Sequence, residues 1–247
     1  MDAALYKTLY RLDQTHWWLR ARRKVVFDVL DRTAPGPYMR ALDIGCGGNI
    51  INTLEIGKRA GSVLGLEISD EAIQFAKKTH PGLLLIKGTW PDVSLEQTFN
   101  LVAMFDVLEH IEEEVQALQK TEAVLEPGGV LILTLPALNT LWSEHDEYAH
   151  HLRRYTKSRV RQLIEENTTL QIERITYFNI LLFPPIFGFR IIKHALGIRS
   201  STTDFFSVPH WLNQLLELVF GSERFLLRFI NFPIGVSILC IARKKEL

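Results

Sequence analysis

Two cysteines are too few for a disulfide framework. Cys46 lies in a glycine-rich stretch and Cys240 in a late apolar one, so a reduced, cytoplasmic setting is expected. Neither charge is in surplus: 28 Lys and Arg balance 28 Asp and Glu, for a formal net charge of zero. A chain without a basic excess lacks the broad attraction that phosphate backbones exert, and no nucleic-acid partner is expected. No apolar run reaches the roughly twenty uninterrupted residues that a bilayer-spanning helix needs. The most apolar stretch, residues 180–189, is broken by Pro184, Pro185 and Gly188. The opening Met-Asp-Ala-Ala-Leu has no basic region followed by an apolar run, so no secretory leader is expected.

What is present is an ordinary globular balance, 47% apolar and 23% charged, with ample material for a core. The chain is organised around residues 41–50, where an apolar strand pattern runs into Gly45, Gly47 and Gly48 and then into helix-compatible residues. Glycines there let the backbone approach a ligand and take positive φ at little cost. A strand, a tight glycine turn and a helix start together make a nucleotide-type site. The dinucleotide pattern G-x-G-x-x-G is incomplete, because Ile50 stands where its third glycine belongs. Asp43, just before the turn, would sit awkwardly beside a pyrophosphate and suits a ligand with a positive group. A second apolar strand ends in Glu67, twenty positions after Gly47 (67 − 47 = 20), the spacing at which an acid takes ribose hydroxyls.

Strand and helix patterns then alternate. Residues 50–59 should form a helix with Gly61 as its C-terminal cap, and Ser69 or Asp70 should cap a second helix. Residues 83–86 read as a short buried strand, 101–104 as a fourth and 130–135 as a fifth. Glu112 to Glu114 read as a solvated, dipole-matched helix start. Five such units predict a doubly wound, Rossmann-like α/β fold, with a mostly parallel sheet of seven strands and helices on both faces. Sixth and seventh strands are expected at 172–177 and 234–242. The whole of 1–247 is expected to be one domain: a helical N-terminal lid (1–38) rich in Tyr6, Tyr10 and later aromatics, a core (39–178), an apolar helical insertion (179–232), and the last strand and tail (233–247).

Leu42-Asp-Ile-Gly-Cys-Gly47 resembles the first motif of class I S-adenosylmethionine-dependent methyltransferases. Gly65-Leu-Glu-Ile-Ser69, Phe105-Asp-Val-Leu-Glu-His110 and Leu125-Glu-Pro-Gly-Gly129 follow in that family's order. The resemblance covers roughly residues 39–178. It implies that S-adenosyl-L-methionine is the cofactor. Asp43, Gly45, Cys46 and Gly47 would then meet its amino acid part, and Glu67 its ribose. Ile68, Gly88, Thr89 and Trp90 would border the adenine, and Phe105 and Asp106 the methionine side. Thr89 departs from the family, which usually has an acid in that turn; a contact from Trp90 is one substitute, and a core role for Trp90 the other reading.

Polar chemistry is densest after the fifth strand, from His145 to Tyr155. Similar stretches in the family form part of the acceptor pocket, which implies acceptor contacts from His151, Arg154 and Tyr155, with His16, Trp17 and Trp18 closing from the lid. If the acceptor is a hydroxyl, a base must take its proton; His110, His145 and His150 are the catalytic candidates, with His151 beside them. His145, Asp146, His150 and His151 lack metal-site spacing, so no metal is expected. In the insertion, Leu212, Leu215, Leu216 and Val219 form one amphipathic stripe and Phe225, Leu226, Phe229 and Ile230 another, read first as core. An apolar acceptor channel or a peripheral membrane contact through 180–230 are the other readings. The expected activity is methyl transfer to oxygen or nitrogen of a small-molecule or lipid-linked acceptor. A noncatalytic S-adenosylmethionine-binding module and a nicotinamide-dependent Rossmann enzyme are the alternatives.

Overall fold

The structure, a computed structural model, describes residues 12, 15–195 and 208–246; Tyr6 and Tyr10 lie outside them. Seven strands form one sheet: β1 (Tyr38–Ile44), β2 (Ala60–Glu67), β3 (Leu84–Lys87), β4 (Phe99–Phe105), β5 (Leu125–Pro136), β6 (Gln171–Phe178) and β7 (Ser237–Arg243). Their order is β3-β2-β1-β4-β5-β7-β6, parallel except for β7, which runs antiparallel to both its neighbours. The central strands are apolar on both faces: Leu42, Ile44, Leu101, Val102, Ala103, Met104 and Leu131 are all buried. Such continuous runs suit a parallel sheet covered by helices on both sides. The chain leaves β1 toward β2 on one side and returns through β4 on the other. A crevice therefore opens at the carboxyl ends of β1 and β4, where ligands of such sheets bind.

The helices are α1 (Trp17–Thr33), α2 (Ile51–Gly57), α3 (Asp70–Thr79), α4 (Glu114–Val124), α5 (Glu144–Ala149), α6 (Lys157–Asn167), α7 (Phe183–Ala195) and α8 (His210–Leu226). Caps follow local chemistry: the Ser69 hydroxyl accepts from Ala72 N at 3.2 Å and the Thr156 hydroxyl from Arg159 N at 3.2 Å.

Four local expectations are corrected. β3 is an edge strand, with Leu84 60% exposed, so the run at 83–86 is not buried on both faces. Helix α2 ends at Gly57 with Lys58 as its cap, while Gly61 lies inside β2, where an added Cβ would stand 3.1 Å from the Met39 carbonyl. The acidic run is not wholly solvated. Glu114 is buried, accepts from the Tyr155 hydroxyl at 3.0 Å, and pairs with Arg153 at 3.2 Å and with Arg159.

The fourth correction concerns the insertion. The buried positions of α8 are Glu217, Phe220, Gly221 and Glu223, while Leu215, Phe225, Leu226, Phe229 and Ile230 are exposed. Of the predicted stripes, Leu216 and Val219 pack against the core. The acids turn inward because each meets partners far away in sequence. Glu217 pairs with Lys24 at 2.6 Å and Arg20 at 3.2 Å. Glu223 accepts from the amides of Asn179 at 2.6 Å and Leu181 at 2.8 Å.

Helices α1 and α8 pack together beside the sheet. Phe220 is their common pin, with ring centroids 6.4 Å from Trp17, 6.5 Å from Trp18 and 6.1 Å from Phe178. Removing a fully buried aromatic ring loses its transfer energy and leaves a cavity. Phe220→Ala is expected to destabilise the fold by about 3–5 kcal/mol in chemical denaturation; a loss below about 1 kcal/mol would show that α8 is not a structural support of α1.

Candidate active site

Positive φ angles of +70° at Gly45 and +67° at Gly47 reverse the chain after β1. A Cβ at Gly45 would stand 2.6 Å from Val107 Cγ2, so backbone angle and space both demand glycine there. The Gly47 amide donates to Glu67 Oε2 at 2.9 Å, and the Ser69 amide donates to Glu67 Oε1 at 2.9 Å. Glu67 therefore ties the turn after β1 to the turn after β2.

Asp43 is placed differently from its neighbours. It is buried, accepts from the Thr53 hydroxyl at 2.6 Å, and is absent from the cavity wall formed by the residues after it. Burial pushes its pKa up to about 7, against the Thr53 hydrogen bond and with a further push from the charge of Glu67.

At the tip of β4, Asp106 has φ +56°. Its carboxylate accepts from Thr134 Oγ1 at 3.1 Å and pairs with Arg22 Nη2 at 2.6 Å; Arg22 also donates to Thr134. Arg22 is buried, its guanidinium 5.3 Å from the Trp18 ring and 5.9 Å from the Phe105 ring. Helix α1 thus reaches the strand tips through one cation. Arg22 escaped the sequence reading, although it falls on the same helical face as Val25, Val26 and Val29, and a charge on an apolar face is the available signal.

These turns border a cavity of about 780 Å³, within the range of small-molecule sites. Gly45, Cys46, Gly47, Glu67 and Ile68 line one end, with Gly88 and Thr89 beside them. Trp90 borders it too, but its indole belongs to the core, with Nε1 donating to the Ala117 carbonyl at 3.1 Å and to Thr121 Oγ1 at 3.2 Å. Phe105 and Asp106 lie between the two ends, and His16, Trp17 and Trp18 close over from the start of α1. The insertion contributes Leu182, Pro185, Ile186 and Phe189 to the wall.

His110, His145, His150, His151 and Arg154 line the other end. Buried Asp146 organises it, accepting from Arg154 Nε at 2.8 Å and Nη2 at 2.9 Å, and from the Ser143 amide at 2.8 Å. His151 Nδ1 lies 2.8 Å from Asp146 Oδ1. Burial opposes ionisation of Asp146, but the bonds from His151 and Arg154 outweigh it and hold the carboxyl well below the usual range. An ionised carboxylate only accepts, so His151 Nδ1 carries a proton, and in the neutral ring Nε2 keeps the lone pair. Burial, with His151 close by, lowers the pKa of His110 to about 4. Tyr155, expected at the acceptor, is instead buried in the core on Glu114 and is not part of the cavity wall.

Glu109, unassigned from sequence, is fully buried and borders this same end. Burial, with the charge of Asp106 nearby, raises its carboxyl well above the usual range.

Residues 42–133 match the family described as a methyltransferase domain. The chain is 30% identical over 120 residues to a ubiquinone biosynthesis O-methyltransferase of Haemophilus ducreyi, covering 44% of this chain and 50% of that protein. It is 25% identical over 162 residues to a probable S-adenosylmethionine-dependent methyltransferase of Mycolicibacterium smegmatis, covering 64% of this chain and 62% of that one. The chain spans about half the length of the curated relatives it matches. Among solved structures, the N-methyltransferase NodS from Bradyrhizobium japonicum, in complex with S-adenosyl-L-homocysteine, superposes with a TM-score of 0.59 at 14% identity, over 96% of this chain and 91% of that one. The plantazolicin methyltransferase BpumL, in complex with a triazolic desmethylPZN analog and S-adenosylhomocysteine, gives a TM-score of 0.62 at 16% identity, over 98% and 91%. At these identities the structural likeness is one of fold.

The raised pKa of Asp43 carries a sign. The folded chain holds that proton more tightly than the unfolded one, so the stability it contributes is full at acid pH and lost as pH rises through about 7. Asp43→Asn is expected to flatten the fall of the thermal midpoint between about pH 4 and pH 7. An unchanged slope would mean that Asp43 is already ionised in the fold.

Proposed function

We propose that this chain is a class I S-adenosylmethionine-dependent methyltransferase and transfers the sulfonium methyl group to an oxygen or nitrogen of a small, largely apolar acceptor. The observation that carries this reading is Glu67, a buried carboxylate that lines the cavity and is fixed between the glycine turn after β1 and the turn after β2. The backbone amides of Gly47 and Ser69 each donate to one of its oxygens and fix the plane of the carboxylate, and a carboxylate so oriented suits the paired hydroxyls of a ribose. The turn from Gly45 to Gly47 would receive the amino acid part of S-adenosylmethionine. Ile68, Gly88 and Thr89 would border the adenine, and Phe105 the methionine chain. Asp43 acts on the cofactor only through the turn it underlies.

Chemistry then needs little beyond alignment and a dry site. The acceptor attacks the methyl carbon in line with the C–S bond, the bond breaks, and sulfur keeps the electron pair as a neutral thioether. An acceptor hydroxyl must also lose its proton, and the histidine-lined end of the cavity is where that proton leaves. Trp17 and Trp18 exclude water from above, and the Arg22–Asp106 pair fixes them relative to the strand tips.

Leu182, Pro185, Ile186 and Phe189 make the acceptor side apolar, and several curated relatives are named ubiquinone biosynthesis O-methyltransferases. A lipid-linked acceptor entering along α7 fits this wall. Next to it, Ile191 and Ile192 are exposed, as are Leu218 and Phe229 in and after α8, a surface suited to peripheral membrane contact. No helix among the described residues is long and apolar enough to cross a membrane.

Glu67→Ala is expected to weaken S-adenosylhomocysteine binding on the order of tenfold or more in calorimetry. An unchanged dissociation constant would remove Glu67 from the cofactor site, and NAD binding in its place would identify a nicotinamide enzyme. Incubation with radiolabelled S-adenosylmethionine and fractionated extract is expected to place label in the small-molecule or lipid fraction; cofactor binding with no label in any fraction would identify a noncatalytic module. Co-sedimentation with anionic vesicles, reduced in the Ile192→Ser and Phe229→Ser variants, is the expected mark of lipid contact. A chain that stays in the supernatant has no such contact.

A further inference from the structure

Methyl transfer leaves one buried group without a task. Neither carboxylate oxygen of Glu109 has a hydrogen-bond partner among the described residues, although the side chain is fully buried and borders the cavity. Buried polar groups are ordinarily paired, and an orphan calls for an explanation. Two imidazoles stand against it. His151 Nε2 is 3.9 Å from Glu109 Oε1, and the ring of His110 meets that of His151 edge-on at 4.8 Å. One ligand atom from each of Glu109, His110 and His151 lies within 4.8 Å of the other two.

The orientation of both rings is already set from behind. Asp146 holds His151 by Nδ1 at 2.8 Å, and the His150 carbonyl lies 3.3 Å from His110 Nδ1. Carboxylates and carbonyls accept from these nitrogens, so each ring, when neutral, presents its Nε2 lone pair. Backing of a histidine by an oxygen on its far nitrogen is the arrangement that orients and strengthens a metal ligand. Glu109 and His110 share one short turn, Leu108–His110, and His151 follows the end of α5, so the three donors come from two separate segments of the chain.

We propose that Glu109, His110 and His151 form a divalent-cation site of the two-imidazole, one-carboxylate type, with its remaining coordination positions open to the cavity. Two nitrogen donors of three favour zinc, cobalt or iron(II) over magnesium and calcium, which prefer oxygen. Donors about 3.3 Å apart surround a tetrahedral zinc ion, so the cluster has to contract by about 1.5 Å on binding, a side-chain adjustment. The sequence reading expected no metal because it weighed His145, Asp146, His150 and His151. In the fold, Asp146 is taken by Arg154 and serves as the support of a ligand.

The role of the ion rests on the methyltransferase reading. An acceptor hydroxyl bound at an open position becomes more acidic; its proton passes to water or to His145 or His150, its oxygen bonds to the methyl carbon, and the C–S pair returns to sulfur. The site itself can be tested without that reaction. Tag-free full-length protein, treated with chelator and freed of it, is titrated with cobalt(II) and followed by visible d–d absorption, then with zinc by calorimetry. One equivalent is expected to bind, and Glu109→Gln and His110→Gln are each expected to weaken binding at least about tenfold. Both variants are checked by thermal unfolding; His110 is only partly buried, so that substitution is readable even if Glu109→Gln fails to fold. Absence of saturable uptake, or equal affinity in folded His110→Gln and wild type, overturns the proposal. S-adenosylhomocysteine binding is measured on the same samples. Cofactor binding without cobalt uptake removes the cation site alone, whereas cobalt uptake without cofactor binding removes the methyltransferase reading and leaves the site.

Discussion

Glu67 accepts from the amides of Gly47 and Ser69, and through those two bonds the turns after β1 and β2 share one anchor. A backbone turn built on positive φ angles has little rigidity of its own. A charged acceptor, buried and fixed at the end of a strand, supplies it. Because the strands are parallel and in register, with Asp43 opposite Gly65 and Ile44 opposite Leu66, the anchor sits at one height along the sheet. The neighbouring Arg22–Asp106–Thr134 cluster does the same across β4 and β5. The cavity is thus bordered by turns locked to each other by charged side chains, at the end of a sheet whose packing is mostly apolar.

The parts of this architecture that depend on local order were legible in the residues. Strand runs, glycine reversals and hydroxyl caps each act within a few positions, and residues such as Gly45, Ser69 and Thr156 carry their geometry with them. What the sequence hid depends on partners far along the chain. Asp43 faces Thr53 and the interior, because α2 folds back over the strand it follows. Tyr155 looks like a pocket residue beside Arg154, yet its hydroxyl is claimed by Glu114. In α8 the inward face carries glutamates, which hydropathy assigns to solvent; their cations and amides come from α1 and from residues 179–181. Glu109 was read only as a letter of a motif, since nothing in its neighbours reveals that it would be sealed away from water.

Acids in this chain therefore divide by company. Asp146, surrounded by Arg154, His151 and an amide, stays ionised at great depth, while Asp43, with a lone hydroxyl, holds its proton far more tightly. Burial is shared; the number of donors decides the outcome.

Strand β7 lies between β5 and β6 and runs against both, so the chain leaves the sheet at the end of β6, and its described residues 179–195 and 208–236 lie outside the named strands before β7 begins. Both feet of that excursion are clamped by neighbouring strands, whereas its span supplies the apolar wall over the cavity. One side of the cavity is therefore built by strand tips of the sheet and the other by a detour of the chain away from it.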